Sequence, residues 1–153
     1  MSEDSSSGMS REMEMGLAQM EQIKSAVGSL NMQKESLEAV IDDYKKAVEV
    51  LEKLKEGPES NIMLPIGGMV YLKAKIETEP HPIVDQGRGV MMEMEIAPAL
   101  KRIEERSNRV RDSVGTIDER IKELMDRYDD VSKQTQQMYQ NQMGSGEGPE
   151  QTF

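Results

Sequence analysis

The residues that could do chemistry in this chain are few, and their spacing points away from catalysis. His81 is the only histidine, held between Pro80 and Pro82. A catalytic imidazole needs a nucleophile or a second ligand beside it, and the sequence offers none, so His81 reads as a turn residue. Carboxylate pairs recur at Glu104-Glu105, Asp118-Glu119 and Asp129-Asp130. Acid–base work requires two carboxyl groups in a cleft with divergent environments, whereas these lie on solvated helix faces. No calcium-loop or other metal spacing occurs. Gly67-Gly68 and Gly87-x-Gly89 lack the lysine of a phosphate loop and the rest of a dinucleotide fingerprint, and they suit hairpin turns better. There are no cysteines, which excludes disulfides and thiol chemistry. The expectation is a protein that is not an enzyme and uses no cofactor or metal.

Methionine is the residue type that stands out, with 14 copies. Met9, Met13, Met15 and Met20 gather near one end of the chain, and Met138 and Met143 near the other. Thioether side chains are flexible and polarizable, and they suit a surface that must accept many apolar shapes. Leu17 and Tyr139 would extend such a patch, provided the two ends of the chain meet.

Two periodic blocks supply that meeting. One apolar stripe runs Met9, Met13, Ile23, Val27, Leu30, Leu37, Ile41, Tyr44, Val48, Leu51; the other runs Ile96, Leu100, Ile103, Val110, Val114, Ile117, Ile121, Leu124, Tyr128, Val131, Met138. Both advance by alternating threes and fours, the seam of a coiled coil. Each block would form a helix of ~70 Å at ~1.5 Å per residue. Met13, Met20 and Met138 fall on the stripes, while Met15, Leu17 and Tyr139 fall off them and are the better candidates for an exposed contact. Ser10 can cap the first helix, and Gly57-Pro58 should end it, with the glycine in a left-handed cap. Gly16, Lys34 and Lys55 occupy stripe positions. Gly16 should loosen the first turns, and Lys34 lies roughly opposite Asp118 if the chain folds back near residue 76. A polar residue in a seam can fix register. Ser107, Thr135 and Gln142 interrupt the second stripe. Pro98 fits the first turn of the second helix, where a missing N–H costs nothing.

Between the blocks the period changes to two. Ile62, Leu64 and Ile66 precede Gly67-Gly68, and Val70, Leu72, Ala74 and Ile76 follow it. Ile83-Val84 begins a third strand, Gln86-Gly87-Arg88-Gly89 forms a turn, and Val90, Met92 and Met94 alternate beyond it. The pattern predicts four short strands in two hairpins, with Pro65 marking an edge or bulge. Two lone hairpins cannot cover their own faces. Ile62, Leu64, Ile66, Val70, Leu72, Ile76, Ile83, Val84, Val90 and Met92 are therefore expected to form an oligomerisation surface, with the helices pointing away from it.

Composition fits this plan. The chain has 153 residues, 31% charged, only 3% aromatic and no Trp, which suits long exposed helices rather than a large globular core. Its net charge of −10 offers no basic patch for nucleic acid and repels anionic membranes. No apolar run approaches the ~20 residues of a membrane span, and the first ten residues lack the features of a secretory signal, so a cytoplasmic protein is expected.

The middle segment also carries a family likeness. Leu64-Pro65-Ile66-Gly67, Tyr71, Ile83-Val84-Asp85-Gln86-Gly87-Arg88-Gly89 and Glu93 together resemble the hub signature of the alpha-type subunit of prefoldin, most closely the archaeal form. The order helix, two hairpins, helix is similar over nearly the whole chain. Beta-type subunits have one hairpin, so four strands favour the alpha class. Arg88 and Met91-Met92 stand where the family more often has smaller or aromatic residues, which could alter subunit pairing. The resemblance implies a hexamer of two alpha-type and four beta-type subunits that binds unfolded polypeptides at its arm tips without ATP and passes them to a group II chaperonin.

The combined expectation is an α+β chain: a long antiparallel coiled-coil hairpin with two β-hairpins at its base. Residues 1–8 form a disordered tail, 9–56 the first helix, 57–95 the hairpin module, 96–143 the second helix and 144–153 a second disordered tail. Met9, Met13, Met15, Leu17, Met20, Met138, Tyr139 and Met143 are the expected client-binding residues of the arm tip. The rival reading is a coiled-coil tether that binds no client.

Overall fold

The computed structural model describes residues 4–57, 61–77 and 79–144, with side chains from Arg11 onward. The elements follow the expected order: α1 (Asp4–Glu56), β1 (Ile62–Gly67), β2 (Val70–Ala74), β3 (Ile83–Gly87), β4 (Val90–Glu93) and α2 (Ile96–Gly144). Two long helices thus flank two antiparallel hairpins, β1–β2 and β3–β4. Several boundaries differ from expectation. Helix α1 starts at Asp4, so Ser10 lies inside it rather than capping it, and residues 4–8 are helical where a disordered tail was expected. Extending an existing helix needs no new nucleus, which explains how a Ser-rich stretch can join it. Gly57 follows α1 with φ 150°, positive but far from the left-handed helical value expected of the cap; Pro58 lies outside the described residues.

The chain divides into two compact units. One consists of Ser36–Ser113. Its core is Leu51, Val84, Ala99 and Ile103, with Tyr44, Ala47, Val48, Leu54, Met94, Ile96 and Leu100 packed against it. Burying a large apolar side chain contributes about 1.5–3 kcal/mol against the entropy of ordering it, so this small cluster is the unit's main source of cohesion. Ala99 is completely buried, in the first turn of α2, where its amide donates to the Glu95 carbonyl at 3.1 Å. The Met94 amide donates to the Pro82 carbonyl at 3.1 Å and ties the two ends of the second hairpin together.

The other unit consists of Met1–Glu35 and Val114–Phe153. Its helix segments run antiparallel: Gly16 meets Thr135, Lys24 stacks on Tyr128 at 5.6 Å from the ring centre, and Lys34 reaches Asp118. Among the described residues, Ile23 and Val131 are its buried apolar side chains. Gly16 has a packing role beside Thr135. A Cβ there would sit 2.4 Å from Thr135 Oγ1, so the missing side chain makes room for the threonine. That hydroxyl donates to the Val131 carbonyl at 2.8 Å, which holds the branched side chain in one rotamer.

The three-and-four stripe describes α1 well from Met13 to Leu51, all its positions being at least half-buried. It fails at the last turn, where Lys55 is exposed and Leu54 faces inward. A helix turns once per 3.6 residues, so a strict 3.5-residue count drifts by about 20° per heptad. In α2, Ser107 is buried and Thr135 half-buried, as seam positions should be, while the trailing Gln142 is exposed.

Candidate assembly and client-binding surfaces

Register determines what each hairpin presents. In the first, Ile62 pairs with Ala74, Met63 with Lys73, Leu64 with Leu72, Pro65 with Tyr71 and Gly67 with Val70. Ile66 is the extra residue of a bulge beside Pro65, which has no amide hydrogen to give the ladder. In the second, Ile83 pairs with Glu93, Val84 with Met92, Asp85 with Met91 and Gly87 with Val90, again with a bulge, at Gln86. Each hairpin closes through two residues of positive φ. These are Gly68 (59°) and Met69 (63°) in one, and Arg88 (56°) and Gly89 (78°) in the other, the combination a tight primed turn requires. Gly67 therefore ends β1 instead of forming half the turn, and a methionine takes the second turn position.

The two hairpins differ in how they are held. The second is fastened to α2. Arg102 Nη2 donates to Gln86 Oε1 at 2.6 Å, and Arg106 Nη2 donates to the Asp85 carbonyl. Gln86 Nε2 donates onward to the Val84 carbonyl at 3.2 Å, and Asp85 Oδ1 accepts the Gly87 amide at 2.6 Å, bracing the bulge. The arginines were not foreseen, although their spacing of four places both on one face of a helix.

Among the expected assembly residues, Leu64, Ile66, Val70, Leu72, Ile83, Val90 and Met92 are exposed, and Ile62 and Ile76 are half-buried. Ile76 lies beyond the end of β2. Val84 is a correction: it is only 8% exposed, packed in the Ser36–Ser113 core, and has nothing to offer a partner. Successive strand residues point to opposite faces, so Ile83 and Val84 could not both face outward on one side. The structure adds four exposed residues that the alternation had placed on the polar phase or in the turn: Met63, Met69, Tyr71 and Met91. Both faces of the first hairpin are consequently apolar. Methionine at the supposedly polar positions was the available signal.

In the Met1–Glu35 and Val114–Phe153 unit, the stripe residues Met13, Met20 and Met138 are half-buried in the seam. The off-stripe residues are open: Met15 67%, Leu17 55%, Tyr139 50% and Met143 67% exposed. The Met9 side chain lies outside the described residues. Ile23, Lys24, Val27, Met125 and Tyr128 line a small apolar groove of about 200 Å³ in the same unit. Among the described residues no group of three or more His, Cys, Asp or Glu could hold a metal. No described helix is long and apolar enough to cross a membrane.

Comparison with known proteins gives a consistent result. The family model for the prefoldin subunit matches residues 23–141. Prefoldin subunit alpha of Nitrosopumilus maritimus is 25% identical over 133 residues, covering 87% of this chain and 92% of that protein. Prefoldin subunit alpha 2 of Methanocaldococcus jannaschii is 25% identical over 122 residues, covering 79% and 78% respectively. Among solved structures, a chain of filamentous PFD from Methanocaldococcus jannaschii, determined by cryo-EM, superposes with a TM-score of 0.54 at 23% identity. That match covers 78% of this chain and 94% of the other, and it bears on the fold alone.

Proposed function

The chain belongs to the prefoldin family, whose model spans residues 23–141, and from that premise we propose that it is an alpha-type subunit that holds unfolded polypeptides without ATP. Family membership implies a chaperone subunit that forms oligomers with other prefoldin subunits. The finer reading is a hexamer of two alpha-type and four beta-type subunits, working in the cytoplasm and delivering clients to a group II chaperonin. The chain itself would play no catalytic part.

One observation carries this reading. The first hairpin is paired from end to end with one bulge, yet leaves Met63, Leu64, Ile66, Val70, Tyr71 and Leu72 each about half exposed or more. A two-stranded sheet with apolar groups on both faces is marginal in water, so it supports cover by strands from other subunits. Client contact would fall to Met15, Leu17, Tyr139 and Met143, in the other unit. Each would bind an apolar segment weakly, and several subunits acting on one unfolded chain would supply retention through avidity. Thioether and phenol side chains suit this task because they adapt to varied shapes.

The test removes residues 1–20 and 134–153, reconstitutes the shortened chain with a beta-type subunit, and measures aggregation of an unfolded client. The complex should assemble and fail to protect. Full protection by a correctly assembled, shortened complex would refute the client-binding role and leave the tether.

A further inference from the structure

We propose that Met63, Met69, Met91 and Met92 form an oxidation site at which peroxide decides whether the chain can assemble. The inference rests on the assembly reading above and adds a modification to that surface. The four side chains are 70%, 93%, 61% and 51% exposed. They are the exposed methionines of the hairpins; Met94, at the foot of β4, is half-buried against the core. With no cysteine in the chain, thioether sulfur is the oxidisable sulfur it presents.

The reaction is a two-electron oxygen transfer. The methionine sulfur attacks the outer oxygen of hydrogen peroxide. An S–O bond forms and the O–O bond breaks. The proton on the transferred oxygen passes to the departing hydroxide, and water leaves. Sulfur is oxidised to the sulfoxide and the peroxide is reduced.

Position gives the chemistry its consequence. Met63 lies across from Lys73 and next in line to Pro65, while Leu64 and Leu72 occupy the opposite face. Met92 pairs with the buried Val84, and Met91 pairs with Asp85 on the other face. In the first hairpin Met63 lies on one face and Met69 in the turn, and in the second Met91 and Met92 lie on opposite faces, so a partner sheet stacked on the Met63 face or on either face of the second hairpin meets a thioether. A sulfoxide is polar and carries a strong acceptor. Covered by apolar strands it would lose its water without gaining a donor. Oxidation before assembly should block the interface, and assembly should shield the sulfur. Thiol-dependent reductases that act on the two sulfoxide epimers would reverse the block.

The test treats the purified chain with hydrogen peroxide, maps each methionine by peptide mass spectrometry, mixes the chain with an archaeal prefoldin beta subunit and weighs the complex by native mass spectrometry. A variant carrying Met63→Leu, Met69→Leu, Met91→Leu and Met92→Leu is run beside it, its helix methionines Met15, Met32 and Met143 still open to peroxide. Loss of assembly in the oxidised wild type, with the variant assembling in peroxide, supports the proposal. Full assembly of wild type bearing the four sulfoxides overturns it, as does loss of assembly by the variant only after peroxide. If the variant fails to assemble untreated, methionine sulfoxide reductases A and B decide: recovery in step with removal of the four hairpin sulfoxides supports it, and no recovery overturns it. Failure of the untreated wild type to assemble would instead refute the assembly reading, and this inference with it.

Discussion

Lys34 Nζ lies 2.7 Å from Asp118 Oδ1, joining α1 to α2 from a position that the apolar stripe would otherwise fill. The lysine is partly covered and the aspartate about half exposed, so the pair is not desolvated. Pairs of this kind contribute about 0–1 kcal/mol. A polar residue in a seam can also specify register, because an aliphatic residue accepts several alignments and a paired charge favours one.

Replacing Lys34 with leucine should therefore leave stability unchanged or raise it by about 1 kcal/mol while relaxing the alignment. Spin labels at positions 31 and 122 would report the change as a broadened distance distribution. The exchange Lys34→Asp with Asp118→Lys should narrow it again. A Lys34→Leu variant with an unaltered distribution would remove the register role.

Gly16 should tolerate no side chain. Gly16→Ala places a methyl group against Thr135 Oγ1, and overpacking of this kind costs about 1–3 kcal/mol. The double change Gly16→Ala with Thr135→Ala should recover most of the loss, which thermal unfolding of the four proteins would show as a double-mutant cycle.

Removing the two guanidinium tethers should free the second hairpin. Arg102→Ala with Arg106→Ala deletes the donors to Gln86 and the Asp85 carbonyl. Partly exposed hydrogen bonds contribute about 0.5–1.5 kcal/mol each, so amide exchange across β3 and β4 should accelerate by about tenfold or more while α1 is unaffected. Val84→Asp should do more damage, since it puts a carboxylate into the Leu51, Ala99 and Ile103 cluster.

The turn residues make a milder prediction. Met69 and Arg88 hold φ values of 63° and 56°, which cost a side-chain-bearing residue about 1 kcal/mol. Glycine relieves that strain but adds unfolded-state entropy. Met69→Gly and Arg88→Gly should each shift stability by under about 1 kcal/mol and leave the ladders in register, as read from cross-strand contacts in NMR spectra.

Much of the fold was legible because its signals are local and repeated. A seam of threes and fours from Met13 to Leu51 names a helix face many times over, so one substitution such as Lys34 does not erase it. Alternation around Val70, Leu72 and Ala74 gave the strands in the same way. The misreadings occurred where a local rule met a tertiary fact. Lys55 kept the count of the heptad, but helix drift turned Leu54 inward instead. Val84 belonged to an apolar pair, yet only its position above Ala99 and Ile103 decides which member is buried. Gly16 looked like a weak point because the sequence does not show Thr135 beside it. Periodicity did divide Met13, Met20 and Met138, half-buried on the stripe, from Met15, Leu17 and Tyr139, exposed beside it. Whether that flank binds a client depends on partners, which no pattern within one chain encodes.

The most direct test of the account leaves the fold intact and changes only the exposed flank. A chain carrying Met15→Ser, Leu17→Ser, Tyr139→Ser and Met143→Ser is assembled with a beta-type subunit, its mass and helix content are checked against wild type, and aggregation of an unfolded client is followed by light scattering. The account predicts a complex of normal mass and helicity that has lost most of its protection. Undiminished protection by that complex would contradict it.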